Sequence, residues 1–393
     1  MSTPSIQRTI QSYIPDLIAF RHDLHKHPEV SNEEANTAQR VKDFLAPYQP
    51  SRVLEGLGGH GLAYCYEGKE PGPTIMLRCE LDALPITEIN TFAHRSTNDD
   101  VSHKCGHDGH MSILAGVARL LHEHPVEKGQ VILLFQPAEE TGEGARRVLQ
   151  DEAFLNIKPD FAFALHNLPN YPEGHIIFRP GPMACASRGL RIKIHGKTSH
   201  AAWPEDGKNP ALPMCRIIEG LTLLPAAPSL QHCYNNVSVV KARLGCEGFG
   251  TIPGEAEVAA TLRSDSEEAI LFLIDQSTLL IDQWLAIHGF EYQVTWSDIF
   301  ALSENAPEAC DILTNAAERA GLPTHIMEEP LRASEDFGVF TQQFPGALFG
   351  LGNGFQKPQL HNPDYDFPDQ LIEKGITIFW SILQECLDVD PLE

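Results

Sequence analysis

Residues 103–110 of this chain read HKCGHDGH, and four of these eight residues have side chains that commonly bind metals. Glycines at 106 and 109 allow tight curvature of the backbone, so several of these side chains can turn toward one point. The next residues, 111–121, carry apolar side chains at helical spacing. We therefore predict a loop that leads into a buried helix. This density of histidine and cysteine favours a metal or catalytic site over a loop of solvated side chains.

The composition is that of a globular protein with a strong negative charge. The chain has 393 residues, of which 42% are hydrophobic and 21% charged, and its net charge is −24. A chain of this length is expected to form two domains. The charge argues against binding to nucleic acids or anionic membranes, because both need basic patches. Nine singly spread cysteines, with no signal peptide and no apolar run of membrane length, predict a cytoplasmic protein with reduced thiols.

Most of the chain alternates between strand and helix patterns, which predicts an α/β fold with ligands gathered at strand ends. We expect a helix over 6–27, a second helix after a capping box formed by Ser31 and Glu34, and another over 334–344. Apolar strands are expected over 61–66, 74–78, 130–135, 160–165 and 347–351.

The pattern changes between residues 184 and 298, after the linker-like sequence Pro180-Gly-Pro182. Here the order strand, helix, strand, strand, helix, strand is typical of a ferredoxin-like α+β sandwich. The sequence therefore predicts a first catalytic segment over 1–183, an inserted domain over 184–298 and a second catalytic segment over 299–393. The alternative is one continuous domain with a long excursion.

Five side chains in loops or at strand ends have the chemistry of a binuclear metal site, and they are Cys105, His107, Glu140, His166 and His361. Glu139 and Glu140 are neighbours at a strand exit, where one carboxylate can bind metal while the other takes a proton from an activated water. Without the other candidate ligands, the same acidic pair would be interpreted as a solvated cap of the following helix. Asp82 is expected either to orient a ligand imidazole or to cap a turn.

Seven motifs, in one order and spacing, give this chain its family resemblance: DLHKHPE (23–29), LRCELDALP (77–85), CGHDGH (105–110), FQPAEE (135–140), GKTSHAA (196–202), SEDF (334–337) and HNP (361–363). With them the chain resembles, nearly end to end, the amidohydrolase branch of the M20 metallopeptidase family. That branch includes auxin-conjugate, hippurate and N-acyl amino acid hydrolases. The resemblance implies a catalytic domain with a mixed sheet flanked by helices, and an inserted ferredoxin-like lid domain through which two chains form a homodimer.

The resemblance also implies roles for individual residues. The five ligands named above would share two divalent ions, Mn or Zn, and Glu139 would be the general base. His200 matches a lid histidine that stabilises the oxyanion, often in the partner's site. Arg263 matches a lid arginine that grips the substrate carboxylate, although a surface strand arginine is an equal alternative. Relatives often carry an Asn and a His where this chain has Gly250 and Glu205, which bears on how substrate is held.

The expected function is hydrolysis of the amide bond of a small N-acyl amino acid by a metal-activated water. Dipeptidase or carboxypeptidase activity on the same scaffold is the nearest alternative. A metal-free hydrolase with Cys105 as nucleophile and His107 as base is a further one, though the two residues are awkwardly spaced for that contact. A non-catalytic binding protein is the third alternative, and the presence of Glu139 beside five ligands argues against it.

Overall fold

A computed structural model of the chain describes residues 6–245, 247–387 and 389. Its α-helices are α1 (Ile6–Lys26), α2 (Ala35–Leu45), α3 (His107–Glu123), α4 (Gly144–Gln150), α5 (Ala211–Leu223), α6 (Glu267–Trp284), α7 (Pro307–Arg319), α8 (Gly338–Thr341) and α9 (Leu371–Cys386). Its strands are β1 (Arg52–Leu57), β2 (Gly61–Glu67), β3 (Glu70–Glu80), β4 (Lys128–Gln136), β5 (Phe161–Leu168), β6 (Ile176–Phe178), β7 (Gly181–Ala184), β8 (Ala186–His195), β9 (Ser199–His200), β10 (Asn235–Leu244), β11 (Thr251–Ile252), β12 (Glu255–Ser264), β13 (Glu291–Phe300), β14 (Ser303–Asn305), β15 (Thr324–Ile326) and β16 (Gly346–Gly352).

The chain folds as two compact units. The larger unit holds the residues up to Met183, Ser303–Glu329 and those from Asp336 onward, and the smaller unit holds Ala184–Leu302 and Pro330–Glu335. Strand β13 continues to Phe300, two residues past the predicted boundary at 298. The segment 330–335 joins the smaller unit because the main-chain carbonyls of residues 331 and 333 accept from the N–H of Cys185.

The larger unit is built on an eight-stranded sheet in the order β1-β2-β4-β3-β5-β16-β6-β15. Strand β3 is parallel to both β4 and β5, and β16 is parallel to β5, whereas β2 is antiparallel to β4. The sheet is therefore mixed, and the predicted mixed α/β fold with flanking helices is confirmed. Because β3, β4 and β5 are parallel neighbours, their carboxyl ends lie along one edge, where ligands commonly gather.

Helix α3 is the central helix of this unit and packs against α1, α9 and β3. Its apolar residues, including Ile113, Leu114 and Val117, are fully buried. Gly116 allows the close approach, since a β-carbon there would lie 2.3 Å from the Cδ1 atom of Ile376 in α9. The second half of the 103–110 stretch forms the first turn of this buried helix, which gives the predicted metal-binding residues there a rigid support.

The smaller unit has a four-stranded antiparallel sheet in the order β10-β12-β8-β13. Helices α5 and α6 pack on it, and the buried side chains of β8 alternate through Leu190, Ile192 and Ile194. The period-two alternation is what a sheet with one covered face requires. The order of elements along the chain, β8-α5-β10-β12-α6-β13, is that of a ferredoxin-like sandwich.

The predicted capping box at the start of α2 is wrong. Glu34 turns inward, and its Oε1 atom accepts a hydrogen bond from the N–H of Ala138, while the Ser31 hydroxyl donates to Asp82. The first turn of α2 is capped instead by the carboxylate of Glu29. Both residues satisfy the local capping pattern but make tertiary hydrogen bonds, which a sequence window does not contain.

The helix predicted over 334–344 is also wrong in extent, since only α8 is helical there. Asp336 is fully buried in front of α8. Its carboxylate accepts hydrogen bonds from Arg78, Gln136 and the N–H of Ala145. These polar contacts hold the segment in an irregular conformation in place of helix.

Across the described part of the chain, every helix is too short or too polar to cross a lipid bilayer.

Candidate metal centre

The side chains predicted to bind metal meet in the larger unit, beside the carboxyl ends of β3, β4 and β5. Their ligand atoms fall into three groups, within each of which all atoms lie within 4.8 Å of one another. These groups are Cys105 with His107 and His166, Cys105 with Glu140 and His361, and His107 with Glu139 and Glu140. All five candidate ligands and the candidate base therefore form one cluster, although they are spread over more than 250 positions of sequence between residues 105 and 361.

His107 is the first residue of α3 and lies at the middle of the cluster. It follows Gly106, whose φ of +97° suits a glycine. Its Nδ1–H donates to the main-chain oxygen of Asp82 at 2.8 Å, so Nε2 is the ring nitrogen that faces the cluster. Nε2 is buried, lies 3.9 Å from a carboxylate oxygen of each of Glu139 and Glu140, and has no hydrogen-bond donor among the described residues. A buried ring nitrogen that faces two carboxylates fits a proton or a bound cation at this point.

The charges around His107 favour positive charge at this point. Burial alone would lower the pKa of His107, but the carboxylates of Asp82, Glu80 and Glu140 outweigh burial and raise this pKa to about 10. A field that stabilises a proton on the imidazole also stabilises a divalent cation beside it. The Asp82 carboxylate itself lies 3.7 Å from Nδ1, so its main-chain carbonyl makes the closer contact with the ring.

Cys105 and His166 form a second pair within the cluster. His166 lies within β5, slightly earlier than the predicted position after the strand, because β5 continues to Leu168. Its Nδ1–H donates to the main-chain oxygen of Asn167 at 2.9 Å, and its Nε2 lies 3.3 Å from the Sγ atom of Cys105. Burial lowers the pKa of His166 to about 3, with a further contribution from His110. The imidazole is therefore neutral at pH 7, which is the form that binds metals.

Glu139 and Glu140 follow β4 through a reversal of the chain at Ala138. Ala138 has a φ of +49°, a left-handed conformation that costs a non-glycine residue about 1–2 kcal/mol. The N–H of Glu140 donates to the Asp82 carboxylate at 3.0 Å. Glu139 is buried and Glu140 half-buried, and the reversal brings both carboxylates to the same nitrogen of His107. One carboxylate can thus bind a metal while its neighbour serves as a base.

His361 completes the cluster from a loop after β16. It also has a left-handed backbone, with a φ of +65°. Its N–H donates to the main-chain oxygen of Lys104 at 2.8 Å, which ties the two ligand loops together. Its Nε2 lies 3.7 Å from a carboxylate oxygen of Glu140. The side chain is 52% exposed, so this edge of the cluster is open to solvent.

The two remaining candidates, His200 and Arg263, lie in the smaller unit. His200 is exposed on β9, and its Nδ1 accepts from the N–H of Ala202 at 3.1 Å, which leaves the proton on Nε2. Arg263 is half-buried on β12, and its guanidinium donates to the hydroxyl of Ser334 at 2.7 Å. His200 therefore presents a free donor nitrogen, and Arg263 already has a protein partner.

Sequence reasoning missed a buried charge network behind the ligand loop. His25, on the buried face of α1, hydrogen-bonds Asp108 at 2.8 Å and Glu88 at 3.2 Å. Lys104 pairs with the same Glu88 at 2.6 Å, and Arg21 pairs with Asp108 at 3.1 Å. All five side chains are buried. The available signal was the placement of Arg21 and His25 on the apolar side of an amphipathic helix, where charged groups need partners.

The stability of this network should depend on pH through His25. Burial alone would lower its pKa, but the Asp108 and Glu88 carboxylates raise the pKa of His25 to about 9. Because the unfolded value is about 6.5, the folded chain holds a proton that the unfolded chain releases between about pH 6.5 and 9. The stabilisation is full below that window and is lost as the pH rises through it. We expect this group to lower the free energy of unfolding by up to about 1.4 kcal/mol per pH unit.

Urea denaturation of the wild type and of His25→Gln across this pH window measures the effect. The variant should lose stability at every pH but show a shallower decline as the pH rises. Equal slopes in the two proteins would mean that His25 does not carry the proton.

The other two histidines of residues 103–110, His103 and His110, are not among the predicted metal ligands. His110 donates through Nδ1 to Glu80 at 2.6 Å and contacts Asn167 through Nε2. Glu80 pairs in turn with the buried guanidinium of Arg78. His103 is fully enclosed, and burial lowers its pKa to about 3. Both ring nitrogens of His110 therefore contact protein groups, and His103 is enclosed in the protein interior.

Comparison with known proteins agrees with this geometry. The sequence model of peptidase family M20/M25/M40 matches residues 76–385. An N-acetylcysteine deacetylase of Bacillus subtilis is 30% identical over 361 residues, which cover 91% of this chain and 93% of that protein. Thermostable carboxypeptidase 1 of Saccharolobus solfataricus is 30% identical over 366 residues, with 91% and 90% covered.

A solved structure gives the same result. The YXEP protein of Bacillus subtilis, described as a dinuclear metal binding peptidase of the M20 family, is 27% identical and superposes with a TM-score of 0.79. The match covers 95% of this chain and 98% of the other. The family resemblance inferred from the motifs is confirmed: the chain belongs to peptidase family M20/M25/M40.

Proposed function

We propose that this protein is a metal-dependent amidohydrolase that releases the amino acid from N-acyl amino acids. The observation that carries the proposal is the pair of neighbours Glu139 and Glu140, each 3.9 Å from Nε2 of His107 inside a cluster of thiol and imidazole groups. A ligand carboxylate with a second carboxylate beside it is what hydrolysis by an activated water requires. The N-acetylcysteine deacetylase relative supports an N-acyl amino acid as substrate.

The proposed cofactor is a pair of divalent ions held by Cys105, His107, Glu140, His166 and His361. Bound divalent ions supply Lewis acidity, which polarises a carbonyl group and makes a water molecule acidic near neutral pH. The thiolate and imidazoles suit zinc, whereas the carboxylates suit manganese, so both metals belong in any assay. The hydrogen bonds behind His107 and His166 fix which ring nitrogen faces the cluster.

In the proposed reaction, Glu139 accepts the proton of the attacking water as its oxygen adds to the acyl carbon. The tetrahedral oxyanion accepts a hydrogen bond from Nε2–H of His200. Glu139 then passes its proton to the departing nitrogen as the carbon–nitrogen bond breaks. The products are a carboxylic acid and a free amino acid. Glu139 is suited to this role because it is buried beside His107, where water outside the site does not compete for the proton.

The smaller unit is proposed to act as the lid of the site and as the surface through which two chains form a homodimer. Support for His200 as an oxyanion donor is its exposed ring with the proton on Nε2. Support for Arg263 as a carboxylate anchor is weaker, because its guanidinium already donates to Ser334. A cytoplasmic location is proposed because none of the eight described cysteines forms a disulfide.

Carboxypeptidase activity is the second candidate, because a carboxypeptidase relative is as similar to this chain as the deacetylase is. A matched substrate panel separates the two. For one amino acid, turnover is measured with its N-acetyl, N-benzoyl and N-indolylacetyl derivatives, with the free dipeptide and with the N-blocked dipeptide, in Mn and Zn separately. We expect the simple acyl derivatives to be the best substrates. Preference for either dipeptide would replace the proposal with a peptidase, and no turnover anywhere would favour a binding protein.

A further inference from the structure

The loop that carries Glu139 is held by the connection between α1 and α2. Glu34 ends this connection and is fully buried. Its Oε1 atom accepts hydrogen bonds from the N–H of Ala138 at 2.8 Å and from the N–H of the nearby Asn32 at 2.9 Å. Ala138 is the residue directly before Glu139, is itself fully buried, and has the left-handed φ of +49°. A carboxylate distant in sequence therefore binds the backbone at the point where the chain reverses toward the metal centre.

The other side of Glu139 is held by a different carboxylate, that of Asp82. Oδ2 of Asp82 accepts from the N–H of Glu140 at 3.0 Å. The Ser31 hydroxyl, from the same connection as Glu34, donates to that oxygen at 2.7 Å. Glu139 thus lies between two backbone N–H groups, and each of them donates to a buried carboxylate. The Glu34 carboxylate holds the backbone just before the proposed base Glu139, and the Asp82 carboxylate holds the backbone of the proposed ligand Glu140.

We infer that Glu34 is a positioning residue for Glu139, an inference that rests on the proposed function. A non-glycine residue keeps a left-handed conformation only where its surroundings hold it, and Glu34 supplies the acceptor that holds Ala138. Without that acceptor the buried N–H of Ala138 loses its partner, and the loop regains the freedom to turn the Glu139 carboxylate away from the reacting water. Because Asp82 holds Glu140 separately, the metal ligands keep their places.

The test compares Glu34→Ala with Glu34→Gln. The alanine variant removes the acceptor, whereas the glutamine carbonyl can still accept from Ala138. We expect Glu34→Ala to lower kcat by about 10- to 100-fold, with KM and bound metal per chain unchanged, and Glu34→Gln to recover most of kcat. Loss of metal with normal kcat per loaded site, or equal loss of kcat in both variants, would overturn the inference.

Glu29→Ala is the matched control. Glu29 lies on the same connection as Glu34. Its carboxylate accepts from the N–H and hydroxyl of Thr37 at the start of α2, whereas that of Glu34 accepts from the Glu139 loop. Its loss should lower the Tm and leave kcat unchanged. If Glu29→Ala lowers kcat as much as Glu34→Ala does, the effect is general softening of the connection and the inference fails.

A second pair of variants tests the backbone directly. Ala138→Gly removes the cost of the left-handed conformation, so adding it to Glu34→Ala should restore part of kcat. No restoration would count against the inference. If Glu34→Ala does not fold, Glu34→Asp takes its place, because it keeps the charge and withdraws the oxygen from Ala138 by one methylene. The same fall in kcat at constant KM is expected, and a wild-type kcat would contradict it.

Turnover of N-acyl amino acids by the wild type, and its loss in Glu139→Gln, test the proposed function alone. If both are observed and Glu34→Ala still works at the wild-type rate, the positioning role is wrong and the proposed function stands. If the wild type turns over none of these substrates, the proposed function fails first.

Discussion

Replacing Glu139 by Gln is expected to lower kcat by about 10²- to 10⁴-fold, the usual contribution of a positioned proton-transfer group. Glutamine has nearly the same shape but cannot accept the proton of the attacking water or return it to the departing nitrogen. Because Glu139 and Glu140 are fixed through different hydrogen bonds, the substitution should leave the proposed ligands in place. Steady-state kinetics should therefore show a loss of kcat with little change in KM.

Metal content and a neighbouring glutamate provide the controls. Metal bound per chain, measured by elemental analysis, should be the same in Glu139→Gln and in the wild type. Glu143→Gln is the matched variant, since Glu143 lies on the same loop and pairs with Arg147 at the exposed start of α4. It should retain the wild-type rate. Near-native turnover in Glu139→Gln would show that another group is the base.

Exhaustive chelation is expected to remove all measurable turnover, and addition of Mn or Zn should restore it. The physical reason is that the proposed reaction relies on bound divalent ions to polarise the substrate carbonyl and to make the attacking water acidic near neutral pH. The same experiment tests the thiol alternative, because a cysteine nucleophile needs no metal. In the structure, the Sγ atom of Cys105 lies 3.3 Å from Nε2 of His166.

Activity that survives chelation and is then abolished by a thiol-alkylating reagent would establish the cysteine mechanism in place of the metal one. Alkylation has to be measured on the chelated protein, since bound metal would protect Cys105. The far-ultraviolet circular dichroism spectrum of the chelated protein serves as the control for folding. Recovery with added metal shows that the loss did not come from unfolding.

The sequence predicted best those features that depend on local periodicity and on the chemistry of single side chains. The structure agrees to within a few residues with the helix predicted over 111–121 and with the strands predicted over 130–135 and 160–165. Hydrophobic period alone sets such elements. Cys105 and His361 could be paired only through the family motifs, since their proximity depends on tertiary contacts such as the hydrogen bond between the loops of His361 and Lys104.

What the sequence could not predict is which polar residues serve a distant partner. Ser31 and Glu34 have the spacing of a capping box, and yet both make hydrogen bonds toward the metal centre. His110 has the chemistry of a ligand, but its ring is used by Glu80 and Asn167. A local sequence pattern indicates which interactions a side chain can make. Burial and the partners that the side chain meets after folding decide which of these interactions it makes.

The pairing of β7 with β14 has a consequence for how this protein can evolve. These short strands flank the inserted segment, and they are neighbours in a two-stranded sheet. The two ends of the inserted segment are therefore neighbours in the structure. Every proposed metal ligand and the proposed base lie outside this segment, Ala184–Leu302, whereas His200 and Arg263 lie within it. Under the roles proposed for them, an exchange of this segment during evolution would change the residues that hold the oxyanion and the substrate carboxylate, while the proposed metal ligands and base would stay in place.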